Sequence, residues 1–287
     1  MGAAEGEGRA LMRWLITGAG GMLGRDLQAV LDGADVIAAT RADLDITSPD
    51  QVRDAVAGVD VVINAAAWTD VDGAETATEA ATAINGHGAA HLAAAAGRRL
   101  IHVSTDYVFD GTATTPIPED APRSPINAYG HGKAIGEQAV LAAGGSVVRT
   151  AWLYGRHGPN FVRTMLRLAE TRDTVDVVDD QEGPPTWSYA LATQLVALAR
   201  SGATPGIYHG TAAGSTTWFG LARAAFTAAG LDPARVRPTT SARFVRPARR
   251  PAYSVLGHAG WSGTGVDPLP DWRDMLTTAM PALLTSR

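Results

Sequence analysis

An α/β fold is predicted for the 287-residue chain: a doubly wound parallel sheet covered by helices, followed by a smaller carboxy-terminal lobe. Three features predict it. Short runs that are apolar on both faces alternate with alanine-rich helical stretches from Met12 to Thr150. A glycine-rich turn joins the first run to the first helix, and after Thr150 the texture changes to loops rich in proline, glycine and tryptophan. Strands buried on both faces lose the polar alternation of a half-exposed sheet, and a helix between two of them is the crossover that parallel pairing requires.

The strand candidates are "MRWLIT", "DVIAAT", "VDVVINAA", "RRLIHVS" and "SVVRT". Beyond them, helices are expected over "NFVRTMLRLAETR" and "WFGLARAAFTAAG", with "TVDVV" and "GIYHG" as short strands that rejoin or flank the sheet. Residues 1–11 read as a disordered extension, 12–150 as the sheet domain, and 151–287 as mainly a second domain.

Composition narrows the function. A net charge of -5 supplies no basic surplus for nucleic acid or an anionic membrane surface. The absence of cysteine removes disulfides, thiol nucleophiles and zinc-thiolate sites. "MGAAEGEGRAL" lacks the basic start and apolar core of a signal peptide, and no window approaches the about 18 apolar residues of a membrane span, so a cytoplasmic protein is expected. His87 and His91 have the spacing of a metal pair, but "HGAAH" lacks the glutamate of H-E-x-x-H, and no metal site is expected.

The turn after the first strand reads "TGAGGMLG", Thr17 to Gly24. Gly18, Gly21 and Gly24 allow backbone amides to approach a pyrophosphate at the positive end of the helix that Met22 and Leu23 begin. The spacing is G-x-x-G-x-x-G, so the turn alone is a modest signal; at the first strand–helix junction of an α/β pattern it predicts a Rossmann-like dinucleotide site over residues 12–150. About 20 residues on, where an acidic residue would bind ribose hydroxyls, the chain has Thr40-Arg41. A guanidinium suits a 2′-phosphate, which favours NADPH, with NADH as the alternative. Asp45 and Ile46 are candidates for the adenine pocket, and the small Ala65 and Ala66 behind Asn64 let a cofactor lie close.

"AYGHGKA" holds the chain's single lysine, Lys133, although lysine and arginine together number 24. It lies four residues after Tyr129 in a helix opened by Asn127 and closed by Gly144-Gly145, so both side chains project from one face. A phenol with a pKa of ~10 needs a fixed positive charge nearby to work as an acid–base group near neutrality, and the expectation is that Lys133 lowers the pKa of Tyr129. "HVSTDYVFDG" places Ser104, Thr105 and Asp106 at the carboxyl end of the fourth strand, where parallel sheets bind ligands.

In order along the chain, "TGAGGMLG", "LDIT", "VVINAAAWTDVDGAE", "STDYVFDG", "NAYGHGK", "RTAWLYG", "NFVRTML", "DQEGPPT", "GIYHG" and "RPAYSVL" resemble the extended short-chain dehydrogenase/reductases, most nearly the dTDP-4-dehydrorhamnose reductase family. The resemblance implies NADPH-dependent reduction of the C4 ketone of a dTDP-4-keto-6-deoxy sugar, with the nucleotide sugar bound by the second domain. By position, Thr105, Tyr129 and Lys133 fall on the family's catalytic trio. Asp106, Tyr107, Trp152, Asn160 and Gln181 fall on its substrate side, and Arg250 is a candidate for the sugar-nucleotide pyrophosphate. The pattern departs at Ala151, where serine is usual, and at Tyr253, where a small polar residue is expected. The pathway implied is deoxysugar synthesis for a cell wall or an antibiotic; a homodimer is one assembly compatible with the sequence, which leaves the oligomeric state open.

Two other readings stand beside this one. A nucleotide-sugar epimerase or dehydratase holding NAD would use the same scaffold, but the dehydratases carry an Asp-Glu pair where this chain has Asp106-Tyr107. A non-catalytic nucleotide-binding regulatory subunit would bind the cofactor without turnover.

Overall fold

The computed structural model describes residues 12–285, so the extension expected over residues 1–11 lies outside the described residues. Strands β1 (Arg13–Thr17), β2 (Asp35–Ala39), β3 (Val61–Asn64), β4 (Leu100–Thr105) and β5 (Ser146–Thr150) fall on the five runs read from the sequence. The shorter strands β6 (Leu153–Tyr154), β7 (Val175–Val178), β8 (Glu182–Gly183), β9 (Thr186–Trp187), β10 (Ile207–His209), β11 (Thr216–Thr217) and β12 (Val236–Thr239) follow. The helices are α1 (Met22–Val30), α2 (Pro49–Val56), α3 (Val71–Thr76), α4 (Thr78–Thr82), α5 (Ala89–Ala96), α6 (Ala128–Ala142), α7 (Phe161–Thr171), α8 (Ser188–Ser201), α9 (Trp218–Ala228) and α10 (Trp272–Leu284).

One sheet organises the molecule, in the order β2-β1-β3-β4-β5-β10, and every pairing in it is parallel. Its inner strands β3, β4 and β5 are buried along their whole length because successive side chains alternate between two cores, whereas the edge strand β2 is partly exposed. Trp14 and Ile16 pack with Leu27 of α1 and Leu191 and Leu195 of α8. Leu15 points the other way, into a core with Val52 of α2, Leu92 of α5 and Val140 of α6.

The segment after Thr150 divides. α8 covers the sheet and β10 extends it, Ile207 standing opposite Val147. "TVDVV" instead becomes β7, which pairs with β12 in a separate two-stranded sheet. There α7, α9 and α10 build their own core around Tyr154, Leu166, Leu221, Trp272 and Met275. No helix among the described residues is long and apolar enough to cross a membrane.

Topology places the site. The chain leaves β1 toward β2 on one side and returns to β3 on the other, so a crevice opens between the carboxyl ends of β1 and β3, at Thr17 and Asn64. Ligands of open α/β sheets bind at such a switch point.

Candidate active site

A cavity of about 1010 Å³ occupies that crevice and continues toward the carboxy-terminal lobe. Small-molecule sites usually span about 300–1,000 Å³, so this is a large one.

Its floor is the glycine turn. Gly18 has φ 72°, and a Cβ there would stand 2.5 Å from the backbone nitrogen of Ala66. Gly24 in the first turn of α1 faces the Gly18 carbonyl, where a Cβ would come within 2.3 Å. The turn therefore closes against the end of β3 and presents the start of α1, at Gly21, Met22 and Leu23, to the cavity. Asn64 fixes the opposite wall: its Oδ1 accepts from Thr17 Oγ1 at 2.7 Å and from the Ala66 N–H at 3.1 Å, behind the lining residues Ala65 and Ala66. A turn with no room for a Cβ at Gly18 or Gly24, lying at a helix start, fits the pyrophosphate of a dinucleotide.

At the far end of the turn, Arg41, Asp45 and Ile46 line the cavity together with Thr40. The Asp45 carboxylate is engaged locally, accepting from the hydroxyl and N–H of Thr47 at 2.7 and 2.9 Å, which holds its pKa down. Asp43 does the same for Thr40. These carboxylates are spent on turns, while the Arg41 guanidinium brings positive charge to this end.

Thr105, Asp106, Tyr107, Tyr129 and Lys133 converge on the same cavity from β4 and α6. Asn127 caps α6, accepting from the Gly130 N–H at 2.8 Å. The helix sits deep because Gly136 meets the Asn85 carbonyl where a Cβ would come within 2.4 Å. Lys133, 3% exposed, donates from Nζ to the Val103 carbonyl at 2.8 Å. Burial lowers its pKa to about 8, against the opposing pull of Glu137, whose carboxylate is itself paired with Arg149 at 2.8 Å.

The structure corrects one expectation about Tyr129. Enclosure by protein pushes the phenol pKa up, the Thr105 hydroxyl bonded to it works against that, and the Asp106 charge adds to it; Lys133 is not among the groups that act. Its ammonium is turned to a backbone carbonyl. The phenol is thus held protonated, the form a proton donor needs.

Asp106 is 3% exposed and accepts from Thr105 Oγ1 at 3.0 Å. Burial raises its pKa to about 6, with Ser254 and Thr105 opposing. The Tyr107 ring meets Tyr129 edge to face, centroids 5.8 Å apart.

The carboxy-terminal lobe contributes Trp152, as expected, but three other candidates lie outside the lining. Asn160 is the cap of α7, accepting from the Arg163 N–H at 3.1 Å and donating to the Gly155 carbonyl at 2.8 Å, beside a separate cavity of about 470 Å³. Gln181 accepts from the Trp218 indole N–H at 3.2 Å. Arg250 pairs with Asp72 of α3 at 2.5 Å and donates to the Ala248 carbonyl, which ties the 246–250 loop to the sheet domain. Local polar partners engage all three, and Arg250 also bonds the hydroxyl of Tyr107, a lining residue.

Conversely, Trp218 and Trp68 line the cavity without being singled out by the sequence. Trp68 directly follows Ala65–Ala67 at the carboxyl end of β3, and that placement was its signal. Trp218 had none: a tryptophan opening a helix reads as core, and only the fold brings it to Trp152.

This geometry has counterparts among known proteins. The family model described as the RmlD substrate binding domain matches residues 12–284. A dTDP-4-keto-6-deoxy-D-glucose reductase of Streptomyces niveus is 54% identical, the alignment covering 94% of this chain and 97% of that protein. A dTDP-4-dehydrorhamnose reductase of Streptomyces griseus is 53% identical, with 94% of each covered. Among solved structures, the dTDP-4-dehydrorhamnose reductase of Bacillus anthracis in complex with NADP superposes with a TM-score of 0.90 at 36% identity, over 94% of this chain and 99% of that one. With a match that runs from the first strand of the sheet to the last helix, the chain belongs to the RmlD family, that of the dTDP-4-dehydrorhamnose reductases.

Proposed function

We propose that the chain is an NADPH-dependent reductase acting on the C4 ketone of a dTDP-4-keto-6-deoxy sugar, dehydrorhamnose or a close relative, in deoxysugar synthesis. The observation that carries this reading is the Tyr129 phenol, bonded to the Thr105 hydroxyl in the cavity that the glycine turn opens. Residues 12–150 would chiefly hold the cofactor. The lobe after 151 would chiefly hold the sugar nucleotide, α8 and β10 belonging to the sheet.

The Gly18–Gly24 turn and the start of α1 would receive the pyrophosphate, Arg41 the 2′-phosphate, and Ala65 and Ala66 the body of the cofactor. Bound NADPH supplies the hydride that the C4 carbon takes. Thr105 would orient the ketone oxygen by a hydrogen bond, and Tyr129 would give that oxygen its proton as the negative charge develops. The product is the 4-hydroxy sugar, and the phenol is left as phenolate until solvent restores the proton. Lys133 would hold the nicotinamide ribose. Trp152, Asp106 and Tyr107 would bound the sugar. A reaction fed by NADPH supports a cytoplasmic location.

Mixing the protein with NADPH and each of a panel of dTDP-4-keto-6-deoxy sugars, among them dTDP-4-keto-6-deoxy-L-mannose, tests the proposal. Loss of the reduced-nicotinamide absorbance with at least one sugar is expected. A protein that binds NADPH and leaves the absorbance unchanged with all of them is not this reductase.

A further inference from the structure

Among the described residues, Trp152 is the one non-glycine residue with a left-handed backbone, at φ 49°. A bulky side chain is disfavoured there and persists only where its surroundings hold it. It follows the end of β5, where the chain leaves the sheet for the carboxy-terminal lobe. What holds it is a clamp. On one face the Trp218 indole lies parallel, with ring centroids 3.5 Å apart and planes 5° from parallel. On another side is Gly183, where a Cβ would stand 2.5 Å from the Trp152 ring.

Both jaws belong to one unit. Gly183 in β8 pairs with Thr216 of β11, which runs directly into α9 and its first residue, Trp218. Trp218 is itself fixed: its indole N–H donates to Gln181 Oε1 at 3.2 Å, and the Phe161 ring lies 4.6 Å away. Both indoles line the cavity that holds Thr105 and Tyr129.

We propose that Trp218 is a positioning residue for the sugar nucleotide: oriented by Gln181, it clamps the Trp152 indole against the backbone at Gly183 and thereby fixes an aromatic wall beside the reacting group. The inference rests on the ketosugar-reductase reading. A flat indole suits the C–H face of a 6-deoxy sugar, and a rotating one would present that face only part of the time. Gln181 acts on the substrate through two rings without touching it.

Three variants test this, with steady-state kinetics on the ketosugar that the wild type reduces, NADPH titration by fluorescence, and far-ultraviolet circular dichroism, in which two stacked indoles give an exciton couplet. Trp218→Leu removes one jaw, and Gly183→Ala pushes the other into the ring while leaving Trp218 in place. Each should lose or weaken the couplet and raise KM for the ketosugar about three- to tenfold, with NADPH affinity unchanged. Trp218→Phe, which keeps a ring to stack on, should restore most of the KM. A role confined to packing would lower thermal stability in Trp218→Leu and leave KM alone, and that result overturns the clamp. So does a loss of NADPH affinity in step with the rise in KM. A wild type that binds NADPH but reduces no ketosugar overturns the reductase reading and this inference with it, whereas an active wild type with normal KM in both jaw variants overturns the clamp alone.

Discussion

Replacing Asp106 by asparagine should stabilise the protein at neutral pH, and by less as the pH falls. Asp106 is buried beside Thr105, and burial raises its carboxyl pKa from 3.8 to about 6. A carboxyl whose folded pKa lies above its unfolded one binds protons more readily when folded, so its ionised form weakens the fold. The penalty is absent below about pH 3.8, grows between there and pH 6, and is complete above it. The gap of about 2 pH units corresponds to about 3 kcal/mol. At pH 4.5 the same linkage leaves about 1 kcal/mol. Asparagine keeps the shape, keeps an oxygen to accept from Thr105, and carries no charge to bury. Urea unfolding of both proteins at pH 7.5 and 4.5, followed by circular dichroism, should show the variant more stable by about 3 and about 1 kcal/mol respectively. A variant that is less stable, or a gain that does not depend on pH, would refute the claim that Asp106 is a carboxyl held in the site against its solvation.

Three further outcomes are expected. Tyr129→Phe should lower kcat by about 10²- to 10⁴-fold and leave NADPH affinity intact, since the ring remains and only the proton donor is lost; single-turnover kinetics with fluorescence titration checks it. Arg41→Leu should raise KM for NADPH about 10- to 100-fold, the worth of a hydrogen-bonded charge pair, with little change for NADH, and the ratio of the two cofactor KM values reports it directly. In the pH profile of kcat/KM, which reports the free enzyme, activity should fall as the pH rises through about 8, because the Lys133 ammonium is present below that value and lost above it. A basic limb near the ordinary lysine pKa would mean that burial does not govern this group.

The glycine turn, the residue run at the end of β4 and the Tyr129–Lys133 pair were legible in the sequence because each is a local arrangement. A strand followed by a glycine-rich turn, or two residues four apart in one helix, has its geometry set by the backbone between them. The reading strained where roles depended on neighbours far along the chain. Lys133 was expected to act on the tyrosine, yet its ammonium is 2.8 Å from the Val103 carbonyl, 30 residues away. Arg250 reads as a phosphate ligand from its place before Pro251, and only the fold shows that its guanidinium meets Asp72, 178 residues away, and the Tyr107 hydroxyl. Asn160 reads equally well as a ligand or as a helix cap, since either use begins with the same amide in front of a helix.

By itself the sequence determined that apolar strands would alternate with helices, that a pyrophosphate-sized turn would open the first of those helices, and that a phenol and the chain's one ammonium would share a helix face. All of these follow from steric rules acting over a few residues. The tertiary structure alone decided that Gly18 would close on Ala66, that Asp106 would lose its water, and that Trp218 would arrive parallel to Trp152 across 66 residues of chain. Desolvation and ring stacking depend on which surfaces meet, and that is settled only when the lobe after Thr150 packs against the sheet.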